Sequence, residues 1–457
     1  MARHFDELRE NALKDLRECY LADDMPWVIG YSGGKDSTTV LQLVYAMLMS
    51  LPNTARHKVV HVVASDTLVE SPAVEEYLSY CIHLIGEGAH RDGLPLLVHR
   101  VTPAASETFW VLLLGKGYPA PNKFFRWCTS RLKISPTTKY IEARISESGE
   151  VVILLGARAS ESSSRAQILQ AHSISGSRFR RHSTLPQAYV YAPIADWDTH
   201  HVWQMLSLFE APWAPPGERP NRRLRGLYKD ASGGECPLVL DLSTPSCGTS
   251  RFGCWTCTVV QNDESMEGLL ETGGAYERMA PLLAFRNKLK AYRDDASKRE
   301  KWRRNSVARP RGWIHGETPR GGVAPDDAVL GPFTLDVRKE LFRELLQIQK
   351  ATGYKLVRAD EILLIQQHWT ADYRETTQAT QEIISEVYGG APSIHLAADR
   401  NALARLCTAH GVDILLIDRL LDLERGYLSR LRRRGLFDGI DELISEWIEV
   451  SDAPTID

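Results

Sequence analysis

One six-residue turn, Ser32-Gly-Gly-Lys-Asp-Ser37, joins the short apolar run Pro26-Trp-Val-Ile-Gly30 to a helical stretch from about Ser37 to Met49. A chain that leaves a strand through two glycines and enters a helix at once builds a strand–turn–helix unit. Such units belong to parallel sheets covered on both faces. The flanking pattern agrees: His57–Ala64, Leu94–Val101 and Val151–Leu155 are valine- and leucine-rich runs of strand length. Before the second helix, Ser71-Pro72 offers a capping serine and a proline suited to the first turn. Residues 1–20 space Phe5, Leu8, Ala12, Leu13 and Leu16 as one helix face. The expected fold is α/β, a doubly wound, mostly parallel sheet with ligands at the carboxyl ends of its strands.

The turn suits polyphosphate. Gly33 and Gly34 let backbone approach an anion closely, the amides at the helix start point at it, and Lys35 adds positive charge. It is not the Walker A pattern, which needs a longer loop ending in Lys-Ser/Thr. The competing reading is an ordinary glycine turn. Asp66, after the second strand, and Gly156-Ala-Arg158, after the fourth, fall where such a sheet holds ligands, or else form a turn and a salt bridge.

Cysteine placement adds a second constraint. Of eight cysteines, Cys236, Cys247, Cys254 and Cys257 fall in one short segment, which favours metal or redox chemistry over disulfides. Cys254-Trp-Thr-Cys257 puts two thiolates on a tight turn fit for zinc or an iron–sulfur cluster. Cys128, in Phe125-Arg-Trp-Cys128, is a distant further ligand or a lone buried cysteine.

At 457 residues the chain exceeds one core. The expected division is a sheet domain over 1–235, a cysteine-rich segment over 236–262 and a mainly helical region over 263–457. The last contains a Pro/Gly-rich loop at 310–332 and helical blocks at Leu335–Thr352 and Ile394–Val450. No signal peptide is expected in Met1–Glu10, and Val40–Met49 is too short to cross a bilayer, so the expectation is a cytoplasmic protein without a membrane partner. A net charge of -3 does not announce a nucleic-acid binder. Local clusters could still neutralise phosphates: Arg178, Arg180, Arg181 and His182; Arg219 to Arg225; Lys298–Arg311; and Arg430–Arg434. The alternative for each is a solvated face.

Ser-Gly-Gly-x-Asp-Ser resembles the PP-loop of the ATP pyrophosphatases, the superfamily of the PAPS reductases, with an adenine nucleotide alpha hydrolase-like fold. The resemblance implies that Tyr31, Ser32, Gly33, Gly34, Lys35, Asp36 and Ser37 hold ATP with Mg2+, beside Asp66, Gly156 and Arg158. The cysteine segments resemble those of APS reductases, which bind a 4Fe–4S cluster, although Trp127-Cys128 stands where those enzymes pair two cysteines. The catalytic cysteine that those reductases carry near the C-terminus has no counterpart; Cys407 is the last cysteine here.

Longer motifs are similar to the DndC-like family of DNA phosphorothioation sulfurtransferases and their SspD-like relatives. They are Tyr31–Val40, Ser65–Glu70, Gly115–Ala120, Phe125–Cys128, Arg181–Pro186 and Pro245 through Cys257. This resemblance runs from about residue 20 to about 360. It implies that ATP adenylates a backbone phosphate oxygen of DNA, with release of pyrophosphate, and that sulfur replaces that oxygen. Lys35, Asp36, Arg158 and Cys236 are then the catalytic candidates, Cys128, Cys247, Cys254 and Cys257 the cluster ligands, and Arg165, Arg178, Arg180, Arg181 and His182 the candidate DNA contacts. Cys236 would relay sulfur; in the reverse assignment Cys236 is the ligand and Cys128 the relay. The implied partners are DNA, a cysteine desulfurase as sulfur donor and other phosphorothioation-system proteins. The competing readings are a PAPS/APS reductase-like or tRNA-thiolating enzyme, and a non-catalytic nucleic-acid-binding subunit with a structural cluster and ATP as a switch.

Overall fold

The structure is a computed structural model describing residues 2–161, 174, 177–231, 253–300, 330–373, 375, 378–389, 405–414, 416–417, 419–420, 423 and 435–451. Arg165, Cys236, Cys247, Arg430–Arg434 and most of the 310–332 loop lie outside the described residues. The chain divides into two compact units, Met1–Phe109 with Ala120–Ala291, and Trp110–Pro119 with Tyr292–Asp457.

The first unit is built on a six-stranded sheet ordered β3-β2-β1-β4-β6-β5. β1 (Trp27–Tyr31), β2 (Val60–Ser65), β3 (Leu96–Val101) and β4 (Val151–Leu154) are the four strands expected from their apolar runs. β1 lies between β2 and β4, parallel to both, with Trp27 opposite Val60 on one side and Val152 on the other. Its five residues are all buried, as a central strand with both faces covered requires. β6 (Ala188–Tyr191) runs parallel to β4, and β5 (Arg180–Arg181) closes the edge antiparallel to β6.

The helices follow from the same logic. α1 (Ala2–Leu21) packs on α2 (Lys35–Ser50), which starts two residues earlier than the sequence suggested and is buried along most of its length. α3 (Pro72–Arg91) begins at the expected Ser71-Pro72 pair, but the Ser71 hydroxyl makes no capping hydrogen bond. On one face of the sheet Val28, Val63, Val151, Ile153 and Ala188 pack with Ile141 of α4 (Ser135–Ser148). Among the described residues of this part of the chain there are also α5 (Thr199–Leu208), α6 (Pro220–Ala231), α7 (Glu264–Thr272) and α8 (Ala280–Asp294). The order reverses between β1 and β4: the chain goes from β1 outward to β3, then returns to β4 on the other side. A crevice opens at the carboxyl ends of strands at such a reversal.

The second unit is helical, as the sequence suggested for this region, with α9 (Leu335–Thr352), α10 (Ala359–Tyr373), α11 (Ala379–Tyr388) and α12 (Leu436–Ser451). It also takes in Trp110–Pro119, whose Val111–Gly115 forms a fully buried π-helical turn. Trp110 Nε1 donates to the Leu356 carbonyl at 2.6 Å, and Trp369 Nε1 to that of Leu114 at 2.8 Å. Arg338, fully buried, donates to the carbonyls of Gly115 and Phe333 at 2.8 Å each. Gly117 has φ +74°, and a Cβ there would sit 2.8 Å from the Arg338 guanidinium. The glycines of the Gly115–Ala120 motif therefore serve packing inside this unit.

Candidate functional site

The phosphate-loop turn lies at the reversal. Gly33 takes φ +75°, a conformation glycine adopts without strain. Ser32 and Ser37 close the turn on each other: their hydroxyls are 3.1 Å apart, the Ser32 amide donates to Ser37 Oγ at 3.3 Å, and Ser37 Oγ donates to the Gly34 carbonyl at 3.1 Å. Thr38 N donates to Gly34 O at 3.0 Å, the first turn of α2. The positive end of the α2 dipole thus sits on the turn, where an anion is favoured.

Arg158 meets this turn from β4. Its guanidinium is 2% exposed, so its partners decide its charge role. Nε donates to Asp36 Oδ1 at 2.5 Å, and Nη1 to Ser160 Oγ and Thr199 Oγ1 at 3.1 and 3.2 Å. Glu161 stands 3.6 Å from Nη2. The other Asp36 oxygen takes Lys35 Nζ at 2.7 Å, and Lys35 Nζ lies 5.6 Å from the ring centroid of Tyr228. Asp36 is therefore the buried anion that ties the two sides of the crevice together. Gly156 permits this approach, because a Cβ on it would fall 2.7 Å from the Asp36 carbonyl carbon and 2.8 Å from Ser37 N.

Asp66 follows β2 and folds its own turn. Its carboxylate accepts the Leu68 amide at 2.7 Å, with Leu68 at φ +64°, and Arg100 Nε stands 3.7 Å away. Burial raises its pKa above the ordinary carboxylate value. Beside it, the enclosed Ser65 hydroxyl has no hydrogen-bond partner among the described residues. Tyr31, ending β1, is fully buried.

The same β2 turn receives the cysteine segment. Ser71 N donates to Gly253 O and Trp255 N to Val69 O, both at 3.0 Å, pairing Glu70 with Cys254 as an antiparallel bridge. Cys254 Sγ is 3.3 Å from Thr67 Oγ1 and 3.7 Å from Glu70 Oε1, and Lys133 Nζ lies 3.7 Å from the same Glu70 oxygen. Cys257 N closes the turn on Cys254 O at 3.1 Å. Cys128, Cys254 and Cys257 line one cavity with Thr67 and Lys133. Burial, then the neighbouring Cys257, pushes the Cys128 thiol up to about 12.

These three sulfurs are the soft donors an iron–sulfur cluster or zinc takes. Among the described residues, no group of three or more histidine, cysteine or acidic side chains is gathered tightly enough to hold a metal ion. Sequence reasoning did not single out Lys133 or Glu70 as neighbours of the cysteines, though Glu70 ends the Ser65–Glu70 motif and Lys133 follows Cys128 by five residues. Nor did it find Tyr228, for which no local signal existed.

The basic cluster divides. Arg178 pairs with Asp15 and Glu18 of α1 at 2.7 and 3.0 Å. His182 is buried, with Nδ1 accepting the amides of Leu185 and Thr184 at 3.2 and 3.3 Å. Arg180 and Arg181 form β5 at the sheet edge, and Arg181 is exposed.

The profile of the phosphoadenosine phosphosulfate reductase domain family matches residues 26–260, just over half of the chain. A curated relative, an uncharacterized protein of Methanocaldococcus jannaschii, is 24% identical over 310 residues, 68% of this chain and 50% of its own length. The chain thus spans about half the length of that relative. Among solved structures it is similar to the PAPS reductase of Candida auris in its phosphate complex, with TM-score 0.28, 14% identity, 46% of this chain and 86% of that one. It is also similar to the U34-tRNA thiolase NcsA of Methanococcus maripaludis with its 4Fe–4S cluster, with TM-score 0.30, 12% identity, 50% of this chain and 74% of that one.

Proposed function

The chain belongs to the phosphoadenosine phosphosulfate reductase domain family, and from that premise we propose that it is an ATP-dependent sulfurtransferase of DNA phosphorothioate modification. The observation that carries the ATP half is the Ser32–Ser37 turn at the strand-order reversal, with Gly156 held against its backbone. Ser32, Ser37 and the first amides of α2 hold the phosphates that leave as pyrophosphate, and Lys35 screens their charge alongside Mg2+. Arg158 acts through Asp36 as a positioning residue, because its guanidinium is spent on that carboxylate. Ser65 and Asp66 face the nucleotide from β2.

In the reaction, a non-bridging oxygen of the DNA phosphodiester attacks the α-phosphorus of ATP, and the α–β bond breaks to release pyrophosphate. The terminal sulfur of a persulfide, made by a cysteine desulfurase, then attacks the DNA phosphorus, and AMP leaves with the oxygen. A second thiol reduces the sulfur–sulfur bond, leaving the phosphorothioate and a disulfide. Cys128, Cys254 and Cys257, which line one cavity though not at metal-holding spacing, are with Cys247 the proposed holders of a 4Fe–4S cluster. When bound, the cluster would fasten the cysteine segment to the β2 turn. Cys236 is the proposed sulfur relay, and Arg165, Arg180 and Arg181 proposed DNA contacts.

Product analysis with labelled ATP tests the reading. AMP and pyrophosphate are expected; ADP and phosphate would overturn it.

A further inference from the structure

Helices α5 and α6 build a concave surface patch lined by Trp203, Arg225, Tyr228 and Lys229. Trp203 and Tyr228 meet edge to face, ring centroids 5.1 Å apart at 83°. The two rings are therefore not stacked on each other. Both are partly exposed, whereas Arg225 and Lys229 are exposed. Arg225 is anchored by Nη1 donating to Ser207 Oγ at 3.2 Å, which aims its guanidinium across the α5–α6 seam. Of the other arginines of α6, Arg222 is exposed and Arg223, also exposed, pairs with Glu76 at 2.5 Å, while Leu224 and Leu227 bury the opposite side of the helix. The acid of this helix, Asp230, accepts the Tyr276 hydroxyl at 3.1 Å. Lys35 Nζ lies 5.6 Å from the Tyr228 ring centroid, so one side chain separates the patch from the phosphate-loop turn.

We infer that this patch receives an unstacked base of a single DNA strand, with the adjoining phosphate on Arg225 and Lys229, and so delivers the next phosphodiester toward Lys35. Every base has a π-face that stacks on an aromatic ring whatever its identity, and cations beside the ring follow the backbone. A flat patch of arginines alone would hold a duplex as well as a strand; the aromatic pair gains contact only with a base already out of its stack. The inference deepens the DNA-directed reading above and rests on it for the strand as substrate. A free nucleotide offers the same base and phosphate without the second phosphodiester.

The test uses the full chain and fluorescence anisotropy. The probes are a fluorescein-labelled single-stranded oligodeoxynucleotide, its blunt duplex and the corresponding RNA, with AMP as competitor. The single DNA strand should bind tightest, and Trp203→Ala should weaken it about tenfold. Trp203→Phe should keep most of the affinity. Arg225→Gln, at an exposed position, should weaken binding and reduce the salt slope by about one. ATP affinity by equilibrium dialysis should stay constant in all three variants.

Unchanged strand affinity in both Trp203→Ala and Arg225→Gln overturns the inference, as does tighter binding of RNA or duplex. Loss of ATP affinity in Trp203→Ala, or displacement of the strand by AMP at equal affinity, would give the patch to a free nucleotide and overturn it too. Pyrophosphate release measured on the same preparations separates the two proposals. Trp203-dependent strand binding without pyrophosphate sinks the sulfurtransferase reading alone; pyrophosphate without Trp203 dependence sinks the patch alone.

Discussion

Gly156 is held by what a methyl group would meet: the carbonyl group of Asp36 and the amide of Ser37, all within 2.9 Å. Those are backbone atoms of the phosphate-loop turn, so Gly156→Ala must displace the turn itself. ATP affinity should fall by at least about 1.4 kcal/mol, tenfold in Kd, by calorimetry on a protein whose circular dichroism is unchanged. Equal affinity would separate Gly156 from the nucleotide site. Asp36→Asn would remove the carboxylate nearest the buried Arg158 guanidinium, leaving Glu161 as its carboxylate neighbour among the described residues, and should cost about 3 kcal/mol in a denaturant melt. A cost under about 0.5 kcal/mol, the range of surface substitutions, would contradict the clamp role. At this scale the turn was readable, because two glycines between an apolar run and a helical stretch state a strand–turn–helix unit. The role of Arg158 was not. Its position after β4 is a local fact, but its burial against Asp36 joins residues 122 apart in the chain.

At the scale of elements, β1 to β4 were readable because each contains a valine-, isoleucine- or leucine-rich run of strand length, buried throughout in β1 and β4, whereas the edge strand β3 leaves Leu97 and Arg100 exposed. β5 and β6 were not. Two and four residues long at the sheet edge, with the exposed Arg181 in one and Tyr189 in the other, they give no period to detect. Their arginines read as a basic patch, whereas Arg178 pairs with α1 and His182 fastens the turn between the two strands.

Between β2, β3 and α4 lies another feature set by packing. His61 Nδ1 is 3.3 Å from His99 Nε2 and 2.9 Å from the Tyr140 hydroxyl. Burial, then His99 and Arg144, lowers the His61 pKa to about 4, and burial and Arg144 lower that of His99. Both histidines fold neutral, so the unfolded chain binds more protons below the ordinary histidine value of about 6.5. Stability should be fully present above that value and fall as pH drops toward about 4. Thermal melts across this window check it, and His61→Phe should flatten the slope. An identical slope in that variant would remove His61 from the cause.

At the scale of the whole molecule, the chain leaves the first unit at Trp110 and rejoins it after Pro119. Trp110 and Val111 to Leu114 are each at most 2% exposed; the second unit supplies the Leu356 carbonyl to the Trp110 indole and the Trp369 indole to the Leu114 carbonyl. A chain cut after Ala291 keeps this apolar segment without the helices that bury it. It should aggregate or bind a hydrophobic dye, while the full chain does neither. A monodisperse, dye-silent fragment would contradict the division. No local pattern announces this excursion, since an apolar run reads alike whichever core receives it.

The account's central claim joins the phosphate-loop turn to sulfur in DNA. Mass spectrometry of nuclease-digested DNA tests it most directly, comparing host cells that carry the gene, lack it, or carry Ser37→Ala. Phosphorothioate-linked dinucleotides should be present in the first and absent from the other two. Their persistence without the gene, or their absence with it, would contradict the account.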